Sequence, residues 1–266
     1  MKGARPTPRL AFGPSVQPGV RVLPEEVAVA LSFNGSTQAV MMATPADLED
    51  FGYGFALTEG IAAPEDILSV DVVALPRGFD VQIWLKPEAE ARLAARRRVM
   101  AGPVGCGLCG IDSIDQALRA VPVVMPSAFR MTPDQVCHAV AALPGQQQLH
   151  DATRAVHGAA FWNGRMRLSR EDVGRHNALD KLAGAMVRHG IAPEGAVVLT
   201  SRVSTDMVQK VAMLGAPLII AVSAPTAEAV ELADQAGITL IALARGDRFE
   251  VFSHTDRLTT ENAHVG

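Results

Sequence analysis

The chain has 266 residues, 48% of them hydrophobic and 20% charged, and its 24 basic against 28 acidic side chains leave a formal net charge of −4. That much apolar material supports one large core or two unequal ones and argues against disorder, and without a basic field no nucleic-acid partner is expected. Three cysteines, an odd number in a chain too large to need staples, point to a reducing compartment; the first twenty residues hold no apolar run of signal-peptide length and no later segment approaches a bilayer span, so a cytoplasmic location with no membrane partner is expected.

Residues 1–22, rich in proline and glycine and without a period, read as a flexible arm. Residues 23–100 read as a β-rich N-terminal subdomain with one main helix. Its first hairpin is expected from VAVALSF and STQAVMMAT around Asn34-Gly35, a pair that tolerates positive φ at both central positions of a type I′ turn. Thr44-Pro45-Ala46-Asp47 offers an N-cap, an N1 proline and an early acid, opening a helix that should stop at Gly60. A second hairpin joins SVDVVAL to FDVQIWL across Pro76, Arg77 and Gly78, and PEAEARLAARRRVM follows as a helix that gathers Arg92, Arg96, Arg97 and Arg98 toward its end.

Residues 101–111 form an expected mobile, glycine-laced loop carrying Cys106-Gly107-Leu108-Cys109, and Asp112 can cap the helix after it. Residues 112–258 read as an α/β domain and 259–266 as a C-terminal tail. Within that domain come the capped helix TPDQVCHAVAAL, a hairpin of AVHGAAFW and RMRLS around Asn163-Gly164, and the helix of DVGRHNALDKLAGAMVRHG. After them VVLT, LIIAVS and ITLIAL alternate with the helices STDMVQKVAML and TAEAVELADQA, which predicts a mostly parallel sheet with helices on both faces.

The Cys-x-x-Cys spacing lets both sulfurs face one point, which suits metal binding, dithiol redox chemistry or nucleophilic sulfur chemistry, and two inert thiols in a turn are the bland alternative. A structural zinc would need two more ligands. Cys137 and His138, adjacent on a helix, point about 100° apart and converge poorly. A thioredoxin-like dithiol should follow a strand within a βαβ unit, whereas glycines precede this pair. Glycines leave little side-chain material to bury the thiols. Sulfur transfer fits an exposed cysteine on a reaching arm, with Arg96–Arg98 and a helix start favouring the thiolate.

In an open parallel sheet, ligands bind beyond the carboxyl ends of the strands. Here those ends are Thr200-Ser201-Arg202-Val203-Ser204, Ser223-Ala224-Pro225-Thr226 and Ala244-Arg245-Gly246-Asp247-Arg248. Two lead into helix N-termini and the third carries two guanidinium groups, an arrangement suited to a phosphorylated or nucleotide-like anion, although capping alone can explain Ser204 and Thr226. Arg170–His176 packs five ionisable side chains into seven positions and reads either as a solvated loop or, with His176 and Asn177 opening a helix, as part of a pocket. His157, beside the small Gly158 and Ala159, can approach the same edge.

GCGLCG (105–110), EDVGRHNALDKLAG (171–184), SRVSTDMVQKVAMLGAP (201–217), VSAPTAEAVELADQAGITL (222–240), ARGDRF (244–249) and, upstream, MMATPADLEDFGYGFALTEGI (41–61) together resemble the formate dehydrogenase accessory sulfurtransferases, the FdhD/NarQ type of sulfur carrier. The resemblance implies a fold similar to cytidine deaminases, a three-layer α/β/α domain beside the smaller β-rich one. It implies a sulfurtransferase that takes persulfide sulfur from a cysteine desulfurase and delivers it to the molybdenum or tungsten bis(guanine dinucleotide) cofactor for formate dehydrogenase, with GDP or GMP able to mimic that cofactor, and it suggests a homodimer. Cys106 then matches the persulfide-bearing cysteine and Cys109 its partner, both catalytic. Leu243, Ala244, Arg245, Gly246, Asp247 and Arg248 match the cofactor-binding segment, joined in our reading by His157, His176, Arg202, Ser204 and Ser223. No structural metal is expected. A deaminase needs His-x-Glu upstream of Pro-Cys-x-x-Cys, whereas His157 lies downstream of the thiols and is followed by Gly-Ala. Thr153-Arg154-Ala155-Val156-His157 stands where the family has Thr-Gly-Gly-x-His. The alternatives are a non-catalytic chaperone of the molybdenum cofactor and a zinc-dependent deaminase-like hydrolase.

Overall fold

The computed structural model describes residues 2–100 and 121–259. Cys106, Cys109, the 101–111 loop and the helix expected from Asp112 lie outside the described residues, so the fold speaks to the other half of the expected chemistry.

Residues 4–11 and 17–24 form strands where a flexible arm is expected over residues 1–22. They build an antiparallel hairpin, β1 (Ala4–Ala11) and β2 (Gln17–Pro24), in register from Ala4↔Pro24 to Ala11↔Gln17. Prolines hid it from a reading by pattern, since they are tolerated in a two-stranded ribbon that has only edges. A lone hairpin is marginal in water. This one is tied down at its root, where Gly3 accepts from the Glu25 N–H and packs against Thr44 and Leu149.

The next unit is a four-stranded sheet in the order β4-β3-β6-β5, from β3 (Val27–Phe33), β4 (Ser36–Ala43), β5 (Ile67–Leu75) and β6 (Gly78–Leu85). Both expected hairpins are present, with Asn34 at φ 46° and Gly35 at φ 79° in the first turn. They join through a parallel β3–β6 pairing. Helix α1 (Leu48–Thr58) starts later than expected: Asp47, at φ 54° and with no side-chain cap, precedes it, and Thr44 is buried rather than capping. Its far end is as expected, with Gly60 at φ 63° just past the last turn. Phe51, Phe55 and Ala56 of α1 join Ala89 and Leu93 of α2 (Pro87–Met100) over Val29, Leu31, Phe33, Val81 and Ile83.

The larger unit contains α3 (Pro133–Ala142), α4 (Gln148–Thr153), β7 (His157–Trp162), β8 (Met166–Asp172), α5 (Arg175–Arg188), β9 (Ala196–Leu199), α6 (Thr205–Leu214), β10 (Leu218–Ala221), α7 (Ala227–Gln235), β11 (Thr239–Arg245) and β12 (Arg248–Ser253). Its six-stranded sheet runs β12-β11-β10-β9-β7-β8. The expectation of a mostly parallel sheet needs correction. Only β9–β10 and β10–β11 pair in parallel, because the β7–β8 and β11–β12 hairpins add antiparallel neighbours on both sides. The central strands β9 and β10 are buried along their whole length, as their unbroken apolar runs require. One face packs on α5, α6 and α7, the other on Met131, Val136, Ala139 and Leu143 in and around α3. Thr259, assigned to the tail, instead donates its N–H to Met131 and closes the edge.

The two units share α1. One side of it touches the four-stranded sheet, and the other lies against α5 so closely that a Cβ on Gly54 would run into the Asp180 carbonyl and one on Gly184 into the Asp50 carbonyl. Buried charges lock this seam. Lys181 Nζ donates to Asp172 at 2.6 Å with both side chains fully buried; Lys210 Nζ meets Asp180 at 2.9 Å and Glu59 at 2.6 Å; Asp50 accepts from Arg170 and Arg188.

Candidate functional site

The carboxyl ends of β9, β10 and β11 and the start of β7 form one edge of the large sheet. His157 opens β7 there, directly paired with Asp172, and the next residue exchanges bonds with Thr200: Gly158 N–H donates to Thr200 Oγ1 at 2.9 Å and the Thr200 N–H returns to the Gly158 carbonyl. Ser223 follows β10, and its carbonyl accepts from the Leu243 N–H. Helices α5 and α6 begin beside this edge. Their starts are joined by His176 Nε2 and Asp206 Oδ2 at 2.9 Å.

Neither helix is capped by a side chain. Gly174 precedes α5, and Ser204 precedes α6 but turns its hydroxyl to Asp206 Oδ2 instead of to the helix. Capping explains Thr226, whose Oγ1 accepts from the Ala229 N–H, and does not explain Ser204. The uncapped start of α5, with no acidic residue in its first turn, favours an anion by about 0.3–1 kcal/mol at an exposed position, whereas the first turn of α6 carries its own carboxylate, Asp206.

The local charges are specific. The hydrogen bond from His176, and then its charge, hold the Asp206 carboxyl well below the usual carboxylate range, so Asp206 is an anion and His176 Nε2 the donor. Burial, then the Arg175 guanidinium, hold the His157 imidazole below its ordinary 6.5, with Asp172 opposing. His157 is therefore a neutral hydrogen-bonding group at physiological pH. Arg175 keeps a buried Nε with no hydrogen-bond partner, a donor left over at the mouth of α5.

This arrangement makes a titration prediction. His157 should titrate below 6.5 by NMR, and Arg175→Gln should raise its midpoint by removing a repelling charge. Because the unfolded chain takes up this proton first, the His157 contribution to stability should be complete above 6.5 and lost as pH falls through the folded value. A midpoint above 6.5 in the wild type would contradict the assignment.

The other sequence-predicted residues divide. Leu243 lies on the edge, 38% exposed and in the left-handed region at φ 53°, where β11 carries a bulge. Such a conformation in a side-chain-bearing residue costs of order 1–3 kcal/mol and tends to persist at ligand sites. Ala244 is buried. Arg245 and Arg248 pair across the exposed β11–β12 turn at Gly246-Asp247, and Asp247 acts electrostatically on Cys137 of α3. That turn thus leans toward the face opposite α5. Arg202 is exposed beside the start of α6. Asn177, expected to face a ligand, turns inward to Asp172 and the Met42 carbonyl. The run Arg170–His176 is not a solvated loop: its first three residues end β8, and Asp172 is fully buried. Among the described residues no three histidine, cysteine or carboxylate side chains are grouped to hold a metal, and no helix is long and apolar enough to cross a membrane.

The profile of the FdhD/NarQ family matches residues 24–259. The chain belongs to the FdhD/NarQ family. It is similar to the sulfur carrier protein FdhD of Agrobacterium fabrum, 56% identical over 244 residues and 90% of each chain, and to that of Brucella abortus, 52% identical over 246 residues and 91% of each. Among solved structures, one from Desulfotalea psychrophila described as a formate dehydrogenase accessory protein superposes with a TM-score of 0.75 at 25% identity, covering 96% of this chain and 99% of that one.

The departure expected at Thr153–His157 has a local account. Arg154 ends α4 in the left-handed region at φ 58°, the conformation for which a glycine is suited, and its guanidinium meets Asp151 at 2.6 Å on the surface. His157 keeps its place at the sheet edge beyond it. Sequence reasoning missed Asp206, Arg175, Asp172 and Thr44 as site residues. The first had a signal, a Ser-Thr-Asp start to a helix at a strand end, and the next two sat in the ionisable run; Thr44 had none that separates it from an ordinary cap.

Proposed function

We propose that this chain is a cytoplasmic sulfur carrier for formate dehydrogenase maturation. Cys106 attacks the terminal sulfur of a cysteine desulfurase persulfide as a thiolate; the new S–S bond forms on Cys106 as the donor's S–S bond breaks and the donor thiolate leaves. Cys109 is the partner thiol. The terminal sulfur then passes to the molybdenum or tungsten bis(guanine dinucleotide) cofactor, the cargo: the Cys106 S–S bond breaks, Cys106 leaves as the thiolate, and the reduced metal of the cargo supplies the two electrons that take the sulfur to sulfide, before that cofactor enters formate dehydrogenase; the carrier works as a homodimer.

The observation that carries this reading is membership of a family whose curated relatives, at 52–56% identity over about nine-tenths of the chain, are sulfur carrier proteins. The sheet edge supports its second half. The uncapped start of α5, the spare Arg175 donor and the neutral His157 suit the phosphates of a guanine dinucleotide, and we assign Arg202, Ser204, Ser223 and Leu243 of the same edge to that ligand, with the Ala244–Arg248 turn farther from the helix starts.

The experiment has two arms. Incubation with a cysteine desulfurase and cysteine should add one sulfur atom to Cys106 by mass spectrometry, and GDP or GMP should bind the wild-type protein in a calorimetric titration. A Cys106→Ala, Cys109→Ala protein that still supports full formate dehydrogenase activity would overturn the carrier step and leave a non-catalytic cofactor chaperone. Absence of GDP and GMP binding would overturn the nucleotide site.

A further inference from the structure

We infer that Thr44, which belongs to the four-stranded unit, is a positioning residue for the anion site, its hydroxyl holding the Val173 N–H next to the buried carboxylate of Asp172. The inference rests on the reading that the sheet edge holds a guanine nucleotide. It adds that the edge is aligned from outside the domain that contains it.

Thr44 is fully buried and engages all three of its polar groups across the seam. Its N–H donates to Asp172 Oδ2 at 3.0 Å, its Oγ1 accepts from the Val173 N–H at 3.2 Å, and its carbonyl accepts from Lys181 Nζ at 2.9 Å. Asp172 is also fully buried and spreads four donors over two oxygens. Oδ2 takes Thr44 N–H and Lys181 Nζ; Oδ1 takes the Gly174 N–H at 2.7 Å and Asn177 Nδ2 at 2.9 Å. Asn177 reaches on to the Met42 carbonyl at 2.9 Å. The strip from Asp172 to Asn177, which holds Arg175 and His176, is thereby fastened at both ends to the end of β4 and the residue that follows it.

An ordinary helix start would be fixed by its own capping side chain, which would also occupy the first free N–H groups. Here Gly174 leaves the cap position bare, and a Cβ there would come within 2.7 Å of Asn177 Nδ2. Asp172, two residues earlier, does the fixing from below. The first turn of α5 is held in place while its outward face stays open. A buried charge pair is an inefficient way to stabilise a fold, since apolar residues of the same volume commonly do as well. Its use as a fixed anchor for a group that must be placed to a fraction of an ångström is a sufficient reason for it.

The test uses the full-length protein with GDP as probe and NMR resonances of the Arg175 Nε–H and the His176 ring as a readout that needs no ligand. Thr44→Val removes the hydroxyl acceptor while keeping the shape, and Thr44→Ser restores it. Thr44→Val is expected to shift both resonances and weaken GDP by about tenfold, the effect of one lost buried hydrogen bond; Thr44→Ser should stay within about twofold of wild type, with wild-type resonances. Thr44→Ala provides the same comparison should the valine variant not fold. Unchanged resonances and affinity in Thr44→Val, or failure of serine to rescue, would overturn the inference. If the wild type itself binds no GDP, the nucleotide reading fails separately, and the resonances still decide whether Thr44 aligns the strip.

Discussion

Replacing Gly54 with alanine is expected to destabilise the protein by about 4 kcal/mol or more, well beyond the usual cost of a point substitution. The added methyl would collide with the Asp180 backbone carbonyl, and neither α1 nor α5 can yield: α1 is backed by the four-stranded sheet and α5 by the large one. Backbone has no rotamer to change. For a chain of this size the loss corresponds to a fall in Tm of roughly 10 °C, or to failure to accumulate as soluble protein. Gly184→Ala, meeting the Asp50 carbonyl from the other side, should behave alike, whereas Gly145→Ala, with open space around it, should be close to neutral. Thermal denaturation followed by circular dichroism distinguishes them. A Gly54→Ala protein melting within about 2 °C of wild type would mean that the helices are not in backbone contact.

Lys210→Met should cost about 3–5 kcal/mol, because it strands the fully buried Asp180 beside Glu59 without a cation. In the wild type, burial lowers the Lys210 pKa, but the Asp180 and Glu59 carboxylates more than offset it and raise it above the ordinary lysine value. Two carboxylates around one ammonium leave one in excess. Burial, reinforced by Glu59, accordingly raises the Asp180 pKa above 3.8. The linkage then has a definite sign: the folded state holds the Asp180 proton more tightly than the unfolded one, so the penalty in Lys210→Met should shrink as pH falls through the folded pKa toward 3.8. Adding Asp180→Asn, which keeps an oxygen for the Thr58 hydroxyl, should recover most of the loss. Urea unfolding at pH 5 and pH 8 measures both effects. A single variant that loses less than about 1 kcal/mol at pH 8 would show that the pair is not desolvated.

These outcomes depend on long-range packing, the part of the molecule that pattern reading reaches least. Local chemistry was legible where it was self-contained: Asn34-Gly35 and Asn163-Gly164 make their turns, Thr132 and Gln135 form a capping box before α3, and the apolar runs of β9 and β10 lie buried. Pro45 and Asp47 misled because the same residues that open a helix also suit the turn before one; Thr44 is claimed by β8 and α5, 128 to 137 residues away. The parallel β3–β6 pairing joins two hairpins, each complete by itself, and no local feature requires it. At the site, strand ends and helix starts were readable, whereas the His176–Asp206 pair spans 30 residues and exists only once α5 and α6 are docked. Cys106 and Cys109, singled out by their spacing and by the resemblance, lie outside the described residues.

The seam between α1 and α5 also sets a timetable for biosynthesis. Its ties, from Thr58 to Asp180 and from Asp50 to Arg188, link residues 122 and 138 positions apart. At ribosomal speeds of about 5–20 residues per second, α1 waits on the order of 10 s for its partner helix to be synthesised. During that interval Asp50 and the glycine-notched flank of α1 face water without their native contacts, so a nascent chain halted before α5 should be a good chaperone client and a poor soluble fragment.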